Sequence, residues 1–174
     1  MDRRIPCIPR LPWDAFFMLH AHLAATRSTC DRGPELWFDP GRRGVGAVFV
    51  RRNRLVASGY NGSPPGEAHC SDVGHLMIDG HCHRTLHAEE NALIQCALDG
   101  VSTLGATVYT TASPCWDCAK RLIRAGVRRV CFGARYQSRH DLSETAFGLL
   151  TRAGVAHEWI DVSKFIEEVE EESD

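Results

Sequence analysis

Apolar residues recur at helical spacing after Pro12 and predict a first helix over residues 12 to 26. Two short apolar runs, 45 to 50 and 54 to 60, flank a polar link and predict a β-hairpin. Beyond them, helical and strand patterns alternate. The alternating segments are a helix at 86–98, a strand at 106–111, a helix at 115–125, a strand at 128–133, a helix at 142–153, a strand at 155–160 and a C-terminal helix at about 162–172. This order predicts an α/β fold whose sheet carries helices on both faces.

The segment between the hairpin and the next helix, residues 61 to 85, shows neither the helical nor the strand periodicity of apolar residues. Gly, Pro, His and Cys dominate it, and we expect a long loop without regular secondary structure. A loop of this length inside a compact domain is usually functional or held together by a metal. We therefore expect it to contribute to a site.

Composition places the chain among ordinary globular proteins. Its 174 residues suit one domain spanning 1–174, and no apolar run is long enough to cross a membrane. The formal net charge of -2 disfavours a nucleic-acid partner and favours a small substrate. No signal-peptide pattern opens the sequence, so we expect a cytoplasmic protein whose 8 cysteines serve metal binding and core packing rather than disulfides.

The first candidate motif is His87, followed two residues later by Glu89. Both stand at the start of the helix at 86–98, which we expect Thr85 or a neighbour to cap. Side chains at these positions point out of the N-terminal end of the helix. A lone pair of this kind is a weak signal.

The second motif is Cys115 and Cys118, three residues apart at the start of the next helix. We expect Ser113 to cap this helix and Pro114 to occupy its first position. Both sulfurs then lie on one face, where the helix dipole favours their thiolate forms. Alone, this pair could be a redox pair or half of a structural zinc site.

Together the two motifs predict a catalytic zinc site. His87, Cys115 and Cys118 supply three ligands, which leaves tetrahedral zinc one open position where bound water ionises near neutrality. Glu89 stands beside that position and could move the proton of the water. A histidine and glutamate followed by a Pro-Cys-x-x-Cys pattern is the known signature of the zinc nucleobase deaminases.

The chain resembles the cytidine deaminase superfamily, and within it the deoxycytidylate (dCMP) deaminases, from about Trp13 to Trp159. The segments that carry the resemblance are TRSTC at 26–30, VGAVFV at 45–50, SGYNGSPPG at 58–66, HCHRTLHAEENAL at 81–93, GATVYTTASPCWDCAK at 105–120 and AGVRRVCFGARY at 125–136. The resemblance implies a three-layer α/β/α sandwich around a mixed five-stranded sheet. It implies deamination of dCMP to dUMP and ammonia, supplying dUMP for thymidylate synthesis. It also implies a homo-oligomer, often a hexamer, with dCTP and dTTP, together with Mg²⁺, as effectors.

Three further residues are expected to contact substrate. Asn61, in the GYNG turn, resembles the substrate-loop asparagine of the family, although Asn-Gly is also a strong turn dipeptide and both roles can coexist. Arg27 is the first candidate for the phosphate, because a guanidinium binds phosphate through two parallel hydrogen bonds, and the alternative is a surface arginine. Tyr136 could close over the base or the phosphate, or simply pack.

Relatives of this type can carry a second, structural zinc, and the loop at 61–85 offers ligands for one. The predicted set is Cys30, Cys70, His75 and Cys82. Four protein ligands would close a tetrahedral site and staple the loop. The histidines that compete for the fourth position are His69, His81 and His83. Free thiols with solvated histidines are the alternative.

An inserted loop at about 31–44 departs from the family pattern. Its Trp37 and Phe38 could cap the pocket, form a subunit contact or pack on the surface. Its Arg42 and Arg43 give a hint of a basic channel. The alternatives to dCMP deamination are therefore a deaminase of another cytosine compound or of a polynucleotide and, outside enzymes, a zinc-stabilised binding module.

Overall fold

The computed structural model describes residues 10–136 and 142–165. Its helices are α1 (Trp13–Ala25), α2 (Cys70–Val73), α3 (Ala88–Leu98), α4 (Trp116–Arg124) and α5 (Leu142–Arg152). Its strands are β1 (Glu35–Leu36), β2 (Asp39–Arg43), β3 (Gly46–Arg51), β4 (Arg54–Tyr60), β5 (Met77–Ile78), β6 (His81–Cys82), β7 (Thr107–Ala112), β8 (Arg129–Ala134) and β9 (Ala156–Trp159). The long elements lie where the sequence pattern predicted them.

Five strands form the central sheet in the order β4, β3, β7, β8, β9. β3 is antiparallel to both β4 and β7, whereas β7, β8 and β9 are parallel to one another. The sheet is therefore mixed, as predicted. Because β3 alone is reversed, the other four strands all end at one edge, and this is the edge where ligands bind in open α/β sheets.

Both faces of this sheet are buried. Along β3, Val48 and Val50 pack against α1, whereas Phe49 between them packs into the core on the opposite face. α1 and the segment after β9 cover the first face, and α3, α4 and α5 cover the second. The predicted α/β/α sandwich is confirmed. Cys96 and Cys131 are buried in these cores, as expected of packing cysteines.

A glycine sets how close α3 lies to the sheet. A Cβ on Gly59 would lie 2.4 Å from the carbonyl oxygen of Ala88, the first residue of α3. Any side chain at position 59 would therefore push the start of this helix away from β4. Since Glu89 is the next residue of α3, this close approach also sets the depth at which Glu89 lies.

Residues 61–85 differ from the loop without regular structure that was predicted. They contain the single-turn helix α2 and the small hairpin of β5 with β6. The insertion at 31–44 likewise forms a hairpin, in which β1 pairs with β2. Elements of two to five residues are too short to show a hydrophobic period, so the sequence pattern could not reveal them.

The predicted C-terminal helix begins where expected, since residues 162–165 are helical and Val162 packs into the core. The rest of that prediction, to residue 172, lies outside the described residues. The described helices include none that is both long and apolar enough to span a membrane.

A partly buried ion pair ties α1 to the sheet. Arg129, the first residue of β8, donates from both Nη atoms to the carboxylate of Asp14 in α1, each at 2.8 Å. The hydroxyl of Tyr109 donates to the same carboxylate at 2.6 Å. The hydrogen bonds from Arg129 hold the pKa of Asp14 below its usual range.

We predict that Asp14→Asn lowers the free energy of unfolding at neutral pH by about 1.5–3 kcal/mol, because it breaks a charge-assisted pair. The folded-state pKa of Asp14 lies below the unfolded value, so its contribution is complete above about pH 5 and is lost as the pH falls through the lowered pKa. Urea unfolding of the variant and the native chain at neutral and acid pH measures this.

The difference in free energy of unfolding between the native chain and Asp14→Asn should become smaller as the pH falls. The same difference at both pH values would contradict the ionic origin of the effect. The exposed carboxylate of Glu67 provides the control, and Glu67→Gln should change the free energy of unfolding by less than about 0.5 kcal/mol.

Candidate active site

Two helix N-termini meet at the edge where β4 and β7 end. His87 immediately precedes α3, and Cys115 immediately precedes α4. The Nδ1 atom of His87 lies 3.4 Å from the Sγ atoms of both Cys115 and Cys118. The structure therefore brings together the three side chains that the sequence predicted as metal ligands.

The capping residues differ from the prediction. His87 and Cys115 are themselves the N-caps, in place of Thr85 and Ser113. The Sγ atom of Cys115 accepts a hydrogen bond from the backbone N–H of Cys118 at 3.5 Å, a role that a serine or aspartate oxygen usually takes. The candidate ligands thus lie at the positive ends of two helix dipoles, which stabilise anionic thiolates.

The thiols of Cys115 and Cys118 differ in pKa. A hydrogen bond from Cys118 lowers the pKa of Cys115 to about 4, and the same interaction raises the pKa of Cys118. A hydrogen bond with Cys115 raises the pKa of His87 to about 9. One thiolate is therefore present at neutral pH. A metal ion that binds here must displace the remaining protons of Cys118 and His87.

This donor set fits zinc. With Zn–S bonds of about 2.3 Å and Zn–N bonds of about 2.0–2.1 Å, tetrahedral angles place nitrogen and sulfur about 3.5 Å apart. The two nitrogen–sulfur separations of 3.4 Å agree with that value. One imidazole and two thiolates leave a fourth position open, which is the arrangement of catalytic rather than structural zinc. His87, Cys115 and Cys118 could therefore hold the metal.

Glu89 lies beside this group in the first turn of α3, where its side chain is only 4% exposed. Burial raises the pKa of its carboxyl to about 7. A carboxyl whose pKa lies near neutrality can both accept and return a proton. Since Glu89 also lines the cavity described next, it is suited to proton transfer at a molecule bound there.

A cavity of about 640 Å³ opens over these residues. Its volume is in the range of sites that bind small molecules. The lining residues that the sequence predicted as metal ligands, catalytic residue or substrate contacts are Cys30, Asn61, Cys82, His87, Glu89, Cys115 and Tyr136. Arg27, the predicted phosphate ligand, is not among them. It is exposed in the turn that follows α1, so the structure separates it from the other predicted substrate residues.

Asn61 is buried, and most of its hydrogen-bonding capacity is used within the protein. Its Oδ1 atom accepts the backbone N–H of Val45 at 2.8 Å and lies 2.5 Å from the hydroxyl of Ser28. Its Nδ2 atom donates to the carbonyl of Cys30 at 3.1 Å. A primary amide carries two N–H donors, so one remains for a molecule in the cavity. The turn role and the substrate role are therefore compatible.

Tyr136 follows β8 and lines the same cavity. Its backbone N–H donates to the hydroxyl of Ser113 at 2.8 Å, and its own hydroxyl lies 3.4 Å from Nδ1 of His81. Burial raises the pKa of Tyr136, so the hydroxyl stays protonated and can donate a hydrogen bond. His81, which the sequence suggested only as a competing metal ligand, thus belongs to the cavity wall.

The cavity also contains cations that sequence reasoning did not assign to a substrate. Arg32, Arg43 and Arg135 line it. Arg32 stands two residues after Cys30, and Arg135 directly precedes Tyr136, so closeness to a predicted site residue was the available signal. Arg43 had been noted only as a hint of a basic channel.

A second group of candidate ligands closes the loop at 61–85. The ligand atoms of Cys30, Cys70, His75 and Cys82 all lie within 4.8 Å of one another. Cys30 Sγ lies 3.7 Å from His75 Nδ1, and Cys70 Sγ lies 3.5 Å from Cys82 Sγ. Tetrahedral zinc requires nitrogen–sulfur separations of about 3.5 Å and sulfur–sulfur separations of about 3.8 Å. This set therefore fits a closed four-ligand zinc site.

Asp31 distinguishes His75 from the competing histidines. Its Oδ1 atom lies 3.0 Å from the Nε2 atom of His75, whose other nitrogen faces the cysteines. A carboxylate on the outer nitrogen commonly supports a metal-binding histidine, because it fixes the ring and its tautomer. Among the described residues, the group of ligand atoms does not include His69, His81 or His83.

A buried carboxyl beside a group of one histidine and two cysteines is the site arrangement of the zinc nucleobase deaminases as a class. A family model narrows this class. The model of the cytidine and deoxycytidylate deaminase zinc-binding region matches residues 11–134, well over half of the sequence, and the chain belongs to that family.

Two relatives show how far the similarity extends. The "ComE operon protein 2" of Bacillus subtilis is 43% identical over 157 residues, which cover 90% of this chain and 76% of that protein. The deoxycytidylate deaminase of Saccharomyces cerevisiae is 34% identical over 160 residues and covers 88% of this chain. The chain spans only 46% of the yeast protein's length.

A solved structure matches over a larger share of its own length. The dCMP deaminase of the cyanophage S-TIM5, in complex with dCMP and dUMP, superposes with a TM-score of 0.67 at 30% sequence identity. The match covers 83% of this chain and 94% of the phage chain. The similarity thus includes nearly all of that protein.

We predict that Asn61→Ala lowers the free energy of unfolding by about 1–3 kcal/mol, because it leaves the Val45 N–H without its partner and removes the amide donor to the Cys30 carbonyl, which keeps only the Ser28 hydroxyl. Urea unfolding measures the change. Ser63→Ala in the same loop removes a more exposed hydrogen bond to Ala68 and should cost less than about 0.5 kcal/mol. Equal stability of the native chain and Asn61→Ala would show that the turn does not depend on this amide.

Proposed function

We propose that the protein catalyses the hydrolytic deamination of dCMP to dUMP and ammonia. The observation that carries this proposal is the buried carboxyl of Glu89 beside His87, Cys115 and Cys118 in a cavity of small-molecule size. Burying an ionisable carboxyl costs free energy, and proteins commonly accept this cost at catalytic sites. The family, and the dCMP and dUMP bound by the phage relative, support the choice of substrate.

The side chains at the base of the cavity would have two roles, metal binding and proton transfer. His87, Cys115 and Cys118 would hold zinc, which when bound supplies Lewis-acid activation of the attacking water. Glu89 takes a proton from this water and delivers it to N3 of the cytosine, and it then passes a second proton to the departing amine. A bond forms between C4 and the water oxygen, and the C4–N bond breaks. Water and dCMP are thereby converted into dUMP and ammonia.

Asn61 and Tyr136 would contact the nucleotide along the cavity wall. Asn61 offers its remaining amide N–H, and Tyr136 offers a hydroxyl that is protonated at neutral pH. Neither residue is next to the three-ligand group in sequence. They reach the cavity because β4 and β8 end at the same edge of the sheet as β7. The dUMP formed would supply thymidylate synthesis.

We predict that Glu89→Gln lowers kcat for dCMP by about 10²–10⁴-fold, because the amide cannot accept or return a proton. The fold and the zinc content should not change, since Glu89 is not one of the three candidate ligands. The measurements are dUMP formation, metal content per chain and circular dichroism. Loss of zinc, or full activity in the variant, would contradict the proposed role of Glu89 in proton transfer.

Glu90→Gln is the matched control for this experiment. Glu90 is the adjacent carboxylate in α3, but it does not line the cavity, and it faces Arg121 with an oxygen–nitrogen distance of 3.5 Å. Its replacement should leave kcat within about twofold, because an ion pair of this exposure contributes little. A loss equal to that of Glu89→Gln would point to a general effect of charge in α3 rather than to proton transfer.

We also propose that Cys30, Cys70, His75 and Cys82 hold a second, structural zinc. Their mutual distances and the carboxylate of Asp31 on the outer nitrogen of His75 support this. The metal would staple the segment that contains α2 and the β5–β6 hairpin, which otherwise buries little apolar surface.

The purified chain should contain two zinc ions, and His75→Ala should contain one. Asp31→Asn should weaken binding at this second group by about 10–100-fold, because the supporting carboxylate is lost. Metal analysis during titration with a chelator measures both effects. His69→Ala serves as the control and should keep two ions, since His69 lies outside the ligand group. A metal content of one ion in the native chain would overturn the proposal.

We further propose that residues 1–174 form one deaminase domain that assembles as a homo-oligomer, with the hexamer as the form the resemblance implies. Trp13, Phe16 and Leu23 support an assembly, because they lie on one side of α1 and are 39% to 62% exposed. The effectors dCTP and dTTP with Mg²⁺, and the cytoplasmic location, stay predictions.

A further inference from the structure

Two of the arginines that line the cavity belong to the insertion that sets this chain apart from the family pattern. Arg32 lies near its start, and Arg43 is the last residue of β2 near its end. The insertion therefore forms part of the cavity wall and does not lie only on the protein surface.

Backbone carbonyls orient both guanidinium groups. Arg43 donates from Nε to the carbonyl of Gly33 at 2.9 Å, and Arg32 donates from one Nη to the carbonyl of Gly80 at 3.0 Å. A guanidinium has five N–H donors, so these contacts leave most donors of each side chain for a ligand. In Arg43 both Nη groups remain, which is the pair that can bind two oxygens of one phosphate.

These contacts fix the position of the two guanidinium groups without neutralising their charge. In the described part of the chain, neither Arg32 nor Arg43 forms an ion pair with a carboxylate, whereas Arg129 pairs with Asp14 and Glu158. The nearby carboxylate of Asp31 is engaged by His75. The insertion therefore brings unneutralised positive charge to the wall of a cavity whose base contains the carboxyl of Glu89.

The neighbour of Arg43 has a different environment. Arg42 points to the opposite side of β2, as alternate residues of a strand do, and its guanidinium contacts the backbone carbonyl of Thr26. Arg42 does not line the cavity. The two adjacent arginines thus have the same charge, but only Arg43 faces the cavity.

We propose that Arg43, assisted by Arg32, binds the 5′-phosphate of the substrate and makes the enzyme selective for nucleotides over nucleosides. This inference rests on the proposed function. The amine at C4 must reach the three-ligand group and Glu89, and the phosphate is at the opposite end of the nucleotide. A dianion there requires cations, and Arg27 does not line the cavity.

The test compares kcat/KM for dCMP with kcat/KM for deoxycytidine, which lacks the phosphate. Arg43→Ala should lower the ratio of the two values by about 10–100-fold, mainly through KM for dCMP, because one charge-assisted interaction is lost. Arg32→Ala should lower the ratio by a smaller factor. Arg43→Lys should retain part of the preference for dCMP over deoxycytidine, because lysine keeps the charge but not the paired donors.

Arg42→Ala is the matched control and should leave the ratio within about twofold, since its side chain faces away from the cavity. Arg27→Ala is the competing variant. If Arg27→Ala lowers the ratio and Arg43→Ala does not, the phosphate is bound at Arg27 and the inference is wrong. Equal losses for dCMP and deoxycytidine in Arg43→Ala would also overturn it, because such losses indicate a structural role.

A binding measurement separates this inference from the proposed reaction. Calorimetry with dUMP and deoxyuridine does not require turnover. The native chain should prefer dUMP, and Arg43→Ala should lose most of that preference. If the native chain deaminates neither dCMP nor deoxycytidine but still binds dUMP through Arg43, the proposed function fails while the phosphate site stands. If it deaminates dCMP but Arg43→Ala binds dUMP as the native chain does, the phosphate site fails alone.

Discussion

The whole site depends on one contact, the meeting of the N-terminal ends of α3 and α4 at the edge of the sheet. His87 reaches both sulfurs at 3.4 Å only because each helix presents its candidate ligands from its first turn or cap. Two positive dipole ends repel one another, so something must hold them together. Thiolate charge between them offsets the repulsion. The close approach of α3 to Gly59 supplies the packing that keeps the geometry fixed.

The same edge links the group of His87, Cys115 and Cys118 to the second group of candidate ligands. Asn61 follows β4 and hydrogen bonds to the carbonyl of Cys30, while Gly62 accepts the backbone N–H of Leu86, directly before His87. The turn that contains Asn61 and Gly62 is therefore attached to Cys30, a candidate ligand of one group, and to the residue that precedes His87, a candidate ligand of the other. Closing the loop at 61–85 restricts the segment that leads into α3. A structural metal in this loop would thus contribute to the precision of the catalytic group without entering the reaction.

The sequence predicted those parts of the site whose residues stand close together in the chain. His87, Glu89, Cys115 and Cys118 could be assigned because each pair stands beside a helix start, where spacing alone sets direction. The cap positions were wrong by two residues, because a ligand side chain occupies each cap itself. The helices on both faces of the sheet followed from the alternating pattern, and the mixed five-stranded sheet from the family resemblance, whereas the order of the strands was not predicted. Arg43 was not predicted as a substrate residue, because a cavity wall is assembled by tertiary contacts, which here bring Arg43 to the cavity and leave Arg27 in an exposed turn.

The hairpin at 31–44 begins and ends at neighbouring points of the fold. Its two ends touch, since a Cβ on Gly33 would lie 2.5 Å from the carbonyl carbon of Gly44, and the Gly44 N–H donates to the carbonyl of Pro34 at 3.1 Å. A hairpin that starts and finishes at one point leaves the register of β3 unaltered and adds little loop-closure entropy. The candidate ligands and Glu89 lie at the starts of α3 and α4, outside this hairpin. If the proposed assignments hold, residues of the hairpin would select the molecule that enters the cavity, and the groups at the two helix N-termini would carry out the reaction.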